Sequence, residues 1–72
     1  MMNKKQIIKL LEKRLVEAHN LMDENMGVDD MNSHYYAGIS CEIAEILAEI
    51  NETSIDGEME RLYKKFNLYK GE

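Results

Sequence analysis

The sequence predicts an all-α protein, an antiparallel hairpin of two long helices followed by a shorter third helix. Apolar residues recur at spacings of three and four over most of the 72 residues, which is the period of an amphipathic helix. The chain has no proline, and glycines and polar clusters interrupt this period at only two places. Its length allows one domain with one modest core, so residues 1–72 are taken as a single all-α domain. The helices can form a three-helix bundle within one chain or a bundle shared by a dimer.

The first helix is predicted over about residues 3–26. Its apolar residues share one arc of a helical wheel, whereas Lys9, Glu12 and Lys13 lie on the other side. The arc comprises Ile7, Ile8, Leu10, Leu11, Leu15, Ala18, Leu21, Met22 and Met26. Gly27 can adopt the left-handed backbone conformation that ends a helix. The link to the next helix is short, which favours antiparallel packing.

The second helix is predicted over about residues 30–51, with Asp29 or Asp30 as its N-terminal cap. One arc holds large apolar residues, namely Tyr35, Tyr36, Ile39, Ile43, Ile46, Leu47 and Ile50. Beside it lies a stripe of small residues, which we expect to be buried in close helix packing or self-association: Ala37, Cys41, Ala44 and Ala48. Together they cover about 240° of the helix, more than one neighbouring helix needs. The second helix is therefore expected to contact neighbours on two sides.

The third helix is predicted over about residues 55–70, after a polar interruption in which Thr53, Ser54 and Asp56 are candidate caps. Its apolar residues repeat at spacings of four and three and form a packing seam: Ile55, Met59, Leu62, Phe66 and Tyr69. Gly71 is expected to end it.

Charge is distributed in three blocks along the chain, whose net charge is −5. Residues 1–16 and 61–72 are basic, whereas residues 17–60 contain twelve acids and no Lys or Arg. One interpretation is that the blocks favour the hairpin topology, with the basic start of the first helix beside the acidic end of the second. The third helix would then bring its lysines toward the acids near the first turn, that is, Lys64, Lys65 and Lys70 toward Asp23, Glu24, Asp29 and Asp30.

A functional interpretation applies to one row of acids on the second helix, Glu42, Glu45, Glu49 and Glu52. They lie within about 80° of one another and span about 15 Å of helix axis. Such a row could bind a basic groove of a partner by imitating a row of phosphates. Direct binding of nucleic acid is not expected, because this helix is acidic where a recognition helix is basic.

Metal binding and catalysis have little support in the sequence. If the hairpin pairs position i with position 53 minus i, four side chains could in principle meet around a divalent ion: His19, Asp23, Asp30 and His34. The alternative, which we favour, is that they cap, face solvent or border the core. Ser40, Cys41 and His34 lack the spacing of a nucleophile and its base on a helix. We therefore predict a protein that is not an enzyme and has no cofactor.

The run from His34 to Ile39, followed by Glu42 to Leu47, resembles small helical proteins encoded by phages and prophages of Gram-positive bacteria. The resemblance implies a protein that covers the surface of a host protein, as some small acidic phage proteins do when they inhibit host defence enzymes. No functional residue can be transferred from it.

The sequence as a whole predicts a protein-interaction module in the cytoplasm. There is no apolar stretch of membrane-spanning length, no export segment is recognisable, and a single cysteine fits a reducing compartment. Because Tyr35 and Tyr36 are consecutive, one of them is expected to be exposed and to anchor an interface. The expected partner is another protein, encoded by the host. In the mimicry alternative, this partner has a basic groove. A homodimer or a self-associating structural module is a further alternative.

Overall fold

The computed structural model describes residues 1–68 and consists of three α-helices, which confirms the predicted fold class. They are α1 (Lys4–Asn25), α2 (Asp30–Asn51) and α3 (Ile55–Phe66). The two long helices pack against each other as a hairpin, and α3 packs on both of them. As the width of its apolar surface predicts, α2 therefore has neighbours on two sides within a single chain.

Each helix begins at a side-chain cap. Asn3 Oδ1 accepts a hydrogen bond from the Gln6 N–H (2.9 Å), and Gln6 Oε1 accepts one from the Asn3 N–H (3.0 Å), which forms a capping box. The side chain of Asp29 caps α2 by accepting from the Asn32 N–H (3.2 Å), and Ser54 Oγ caps α3 by accepting from the Gly57 N–H (3.0 Å). These bonds satisfy amide groups that the first turn of a helix leaves unpaired.

Left-handed residues follow the helices. Gly27 has a φ of +78° just beyond α1, as expected, and Glu52 (φ 56°) caps the C-terminus of α2. Asn67 (φ 53°) ends α3 at Phe66, so the predicted continuation of this helix is wrong at Asn67 and Leu68. Asparagine adopts this conformation more readily than most residues, which gives the early end a local cause. The predictions on Tyr69, Lys70 and Gly71 lie outside the described residues.

The core lies where the three helices meet. Its fully buried members come from every helix: Leu15 of α1, Ile43, Ala44 and Leu47 of α2, and Leu62 of α3. Four half-buried residues pack around them, Ile8, Leu11, Ile39 and Met59. Because one cluster joins all three helices, none of them can bury its apolar side without the others.

Two polar residues of α1 are buried against α3. Glu12, predicted to lie on the outer side, is only 4% exposed, and His19 is also buried, with its ring 5.3 Å from that of Tyr63. Glu12 receives bonds from Arg61 Nη1 (2.9 Å) and Lys65 Nζ (3.0 Å) of α3. The Glu12 carboxylate can be buried because these two cations form ion pairs and hydrogen bonds with it.

Glu58 extends this arrangement to α2. It accepts a bond from Arg61 Nη2 (2.6 Å), as the i, i+3 spacing suggests, and further bonds from Asn51 Nδ2 (3.3 Å) and Thr53 Oγ1 at the end of α2. These contacts form one polar network, which comprises Glu12, Glu58, Arg61, Lys65, Asn51 and Thr53. It connects all three helices and fixes the position of α3.

The antiparallel hairpin places the basic start of α1 beside the acidic end of α2, as predicted, but the predicted partner of Lys65 is wrong. Within residues 1–68, no ion pair joins the basic start of α1 to the acidic end of α2, and Lys65 binds Glu12 rather than the acids near the first turn. The physical reason is the position of α3, which covers the side of α1 that contains Glu12. Lys70 lies outside the described residues.

Candidate protein-interaction surface

The hairpin has an apolar side that α3 does not cover. Four aliphatic residues on it are each 37–39% exposed, and the Tyr35 side chain is 62% exposed. This open face consists of Ile7, Leu10 and Leu21 of α1 and Tyr35, Tyr36, Ile39 and Ile46 of α2. An apolar surface of this kind, contributed by two helices and bordered by charges, is typical of an interaction site.

The helical positions place most of the open face away from α3, although Leu10 also lines a second groove with Lys65 and Phe66 of α3. On α1, Leu10 and Leu21 lie nearly half a turn from Glu12 and His19, the residues that contact α3. On α2, Tyr35 and Ile46 lie about half a turn from Asn51, which binds Glu58 of α3. The third helix therefore closes one side of the hairpin and leaves the other uncovered.

A shallow groove of about 380 Å³ runs along the open face between the two helices. Its apolar lining includes Leu10, Ala18 and Leu21 of α1 with Tyr36 and Ile39 of α2. Its charged lining is Lys13, Arg14 and Glu17, all from α1. The groove shows that the two apolar rows adjoin and form one continuous surface.

The two adjacent tyrosines differ in exposure, as the sequence suggests. Tyr36 is half-buried in the groove, whereas Tyr35 projects to solvent and stands edge-on to the Tyr36 ring, with centroids 5.3 Å apart. Packing against Tyr36 restricts the rotamers of Tyr35, which lowers the entropy lost when the side chain is covered. Its predicted part in partner binding stays a prediction.

The acids of α2 form a row along one edge of this face. Glu42 is three residues after Ile39 and four before Ile46, so it lies beside the apolar surface. Glu42, Glu45 and Glu49 follow the helix, whereas Glu52 is the left-handed residue just after its end, so the predicted row is wrong at that position. The four acids, called the glutamate ridge, are exposed and form no ion pair within residues 1–68. It is thus available to an external cation, although solvation alone also explains such a row.

The stripe of small residues is divided between core and surface. Ala44 is buried in the cluster with Leu62, Ala48 is buried too, and Ala37 is half-buried. Cys41 is an exposed free thiol, so its expected burial is wrong. It lies at the outer edge of the stripe, beyond the arc that α1 and α3 cover.

The four side chains considered for a metal site do not come together. His19 is buried beside Tyr63, with its Nε2 3.5 Å from Asp23 Oδ2, while Asp30 accepts a bond from the Gly27 N–H and His34 is exposed. Among residues 1–68, no group of three or more acidic, histidine or cysteine side chains is arranged to hold a metal ion. The four side chains stay apart because His19 packs beside Tyr63 and Asp30 binds the Gly27 N–H.

Sequence reasoning missed the contribution of α1 to the surface. It treated the whole apolar arc of the first helix as core, although that arc extends over about 160° from Leu10 to Met26 and a helix with one neighbour needs less. The excess width of this arc was the signal that part of the apolar side of α1 would be exposed. Burial of Glu12 and His19 moves the packed side of α1 toward α3 and exposes Leu10 and Leu21.

Comparisons with protein-family models, with curated proteins and with solved structures give no match to this chain. Within the described part of the chain, no helix combines the length and apolar composition that a membrane crossing requires. The open face and the glutamate ridge are therefore the features from which a function can be inferred.

Proposed function

We propose that this chain is a protein-binding module without catalytic activity, which acts by docking its open face on another polypeptide. The observation that supports this most is the uncovered apolar side of the hairpin, on which Tyr35 is 62% exposed. Each such side chain that leaves water on binding contributes favourably, and tyrosine is enriched among the residues that dominate interface energies.

Two kinds of polypeptide fit this proposal. One is a host protein whose surface the chain covers and thereby inhibits or recruits, as the resemblance to phage-encoded proteins implies. The other is a second copy of the chain. In both cases we propose the cytoplasm as the compartment, since an exposed lone thiol such as Cys41 stays reduced there.

Site-specific photo-crosslinking tests the surface whichever polypeptide binds it. A photoreactive amino acid replaces Tyr35 in one variant and Lys64, an exposed residue of α3, in a matched control. Adducts formed in cells from position 35 and not from position 64 support the proposal. An absence of adducts from position 35, or equal adducts from both positions, contradicts it. An adduct of twice the 8.4 kDa chain mass indicates a second copy, and other masses indicate another protein.

A second candidate function rests on the glutamate ridge. Glu42, Glu45 and Glu49 extend over about 10 Å of a helix that contains no Lys or Arg, and Glu52 follows the end of that helix. These exposed carboxylates could occupy the basic groove of a nucleic-acid-binding enzyme. In that case Glu45→Lys and Glu49→Lys should abolish partner binding, which should also weaken steeply with added salt. Binding that depends on Tyr35 and little on salt would contradict mimicry and favour the apolar interface.

A further inference from the structure

We infer that the polypeptide that covers the open face is a second copy of this chain, related by a two-fold axis parallel to α1 and α2. The inference rests on the proposed function, because it requires the open face to be a docking surface. The product would be a bundle of four antiparallel helices around the two open faces, with α3 of each copy on the outside.

Charge complementarity between the two edges of the open face favours this occupant. Of the charged residues that line the groove, Lys13 and Glu17 lie on the α1 edge, whereas Arg14 lies within the apolar row of α1. The α2 edge contains Glu42, and α2 has no acid level with Glu17. Within one chain these edges lie on opposite sides of the apolar surface, and no ion pair joins them among the described residues. A self-complementary surface needs opposite charges on its two edges, which is the arrangement found here.

The antiparallel hairpin also places the opposite charges at matching positions along the helix axes. In its register, the N-terminal half of α1 is level with the C-terminal half of α2, as the shared lining of the groove by Arg14 and Ile39 indicates. A two-fold axis parallel to the helices leaves each residue's position along the helix axis unchanged, and it places α1 of one copy against α2 of the other. Lys13 then faces Glu42 of the second copy.

The composition of α2 distinguishes this axis from one perpendicular to the helices. A perpendicular axis would place α2 against α2, and this helix contains no Lys or Arg to accompany its own glutamates. Like charges close together oppose association. Of the two hairpin helices only α1 contains Lys or Arg, and the parallel axis places α1 of the second copy against α2.

Sedimentation equilibrium of the full chain, with a charge exchange, tests both occupant and axis. The unaltered chain is expected to be a dimer, and Lys13→Glu or Glu42→Lys alone should weaken the dimer roughly tenfold or more, since each affects two symmetric contacts. The double variant Lys13→Glu/Glu42→Lys should recover most of the affinity. Lys64→Glu on exposed α3 is the matched control and should leave association unchanged. Circular dichroism checks that every variant is helical.

Tyr35→Ala supplies a test that does not depend on charge, and should weaken the dimer roughly tenfold or more. A chain that is monomeric at all concentrations overturns the inference, as does a dimer that tolerates Tyr35→Ala or shows no recovery in the double variant. Crosslinks from position 35 to a different protein would then leave the proposed function intact. An absence of both self-association and such crosslinks would refute the two proposals together.

Discussion

Glu12 shows how one buried charge can determine where a helix packs. Burial by itself would raise the pKa of this carboxyl group, but hydrogen bonds and charges from Lys65 and Arg61 outweigh burial and hold its pKa below the usual value. The pKa of Glu58 is lowered in the same way, against the effect of burial, by Thr53 and Arg61. The carboxylates are accordingly stabilised in the folded chain only while α3 is in place.

The lowered pKa of Glu12 predicts a loss of stability in acid. A carboxyl group whose pKa is lower in the folded state stabilises folding above its unfolded value, near 4.5, and this contribution disappears as the pH falls through the folded pKa. Glu12→Gln should therefore reduce the free energy of unfolding at pH 7 by about 1–3 kcal/mol and reduce its decrease below pH 4.5. Urea denaturation across this pH range measures both effects.

The matched control is Glu24→Gln, which alters an exposed glutamate of the same helix. It should change the free energy of unfolding by no more than about 0.5 kcal/mol. Equal effects of the two substitutions would show that the contacts between Glu12 and α3 do not stabilise the chain.

At the scale of the element, the helices were largely predictable because local chemistry determines where they begin and end. Asn3, Asp29 and Ser54 cap them, and Gly27 ends α1, all with residue types that favour these positions. Which sides of α1 are covered was not predictable in the same way. A helical wheel places Glu12 outside because it contains no information on the cations of α3, which are 49 and 53 residues away.

Two glycines of the hairpin should respond in opposite directions to substitution by alanine. Gly38 lies inside α2 with no atom within 4 Å of an added Cβ, so Gly38→Ala should stabilise the chain by about 0.5–1 kcal/mol. Gly27 has equal space but a φ of +78°, so Gly27→Ala should destabilise it by about 1 kcal/mol. Thermal denaturation followed by circular dichroism compares the two. Changes of the same sign would show that backbone conformation does not determine the end of α1.

At the scale of the whole molecule, the three helices form one small core and leave a second apolar surface open. Chains of this size bury about 60% of the surface of the unfolded chain, a smaller fraction than larger domains bury, and gain little stability from it. Fold and proposed function are connected here, because the side of the hairpin that α3 does not bury is the side available to a partner.

A dimer formed through the open face should make thermal stability depend on chain concentration. Association stabilises only the folded chain, so raising the concentration shifts the unfolding equilibrium by mass action. For two chains that unfold together, a tenfold increase is equivalent to about 0.7 kcal/mol per chain, or roughly 3–5 °C in Tm for a domain of this size. Lys13→Glu should lower the Tm at each concentration by about as much as a tenfold dilution does, Lys13→Glu/Glu42→Lys should restore it, and Lys64→Glu should behave as the unaltered chain. A Tm that is constant over all accessible concentrations would mean that the folded chain is stable as a monomer, with its open face in water.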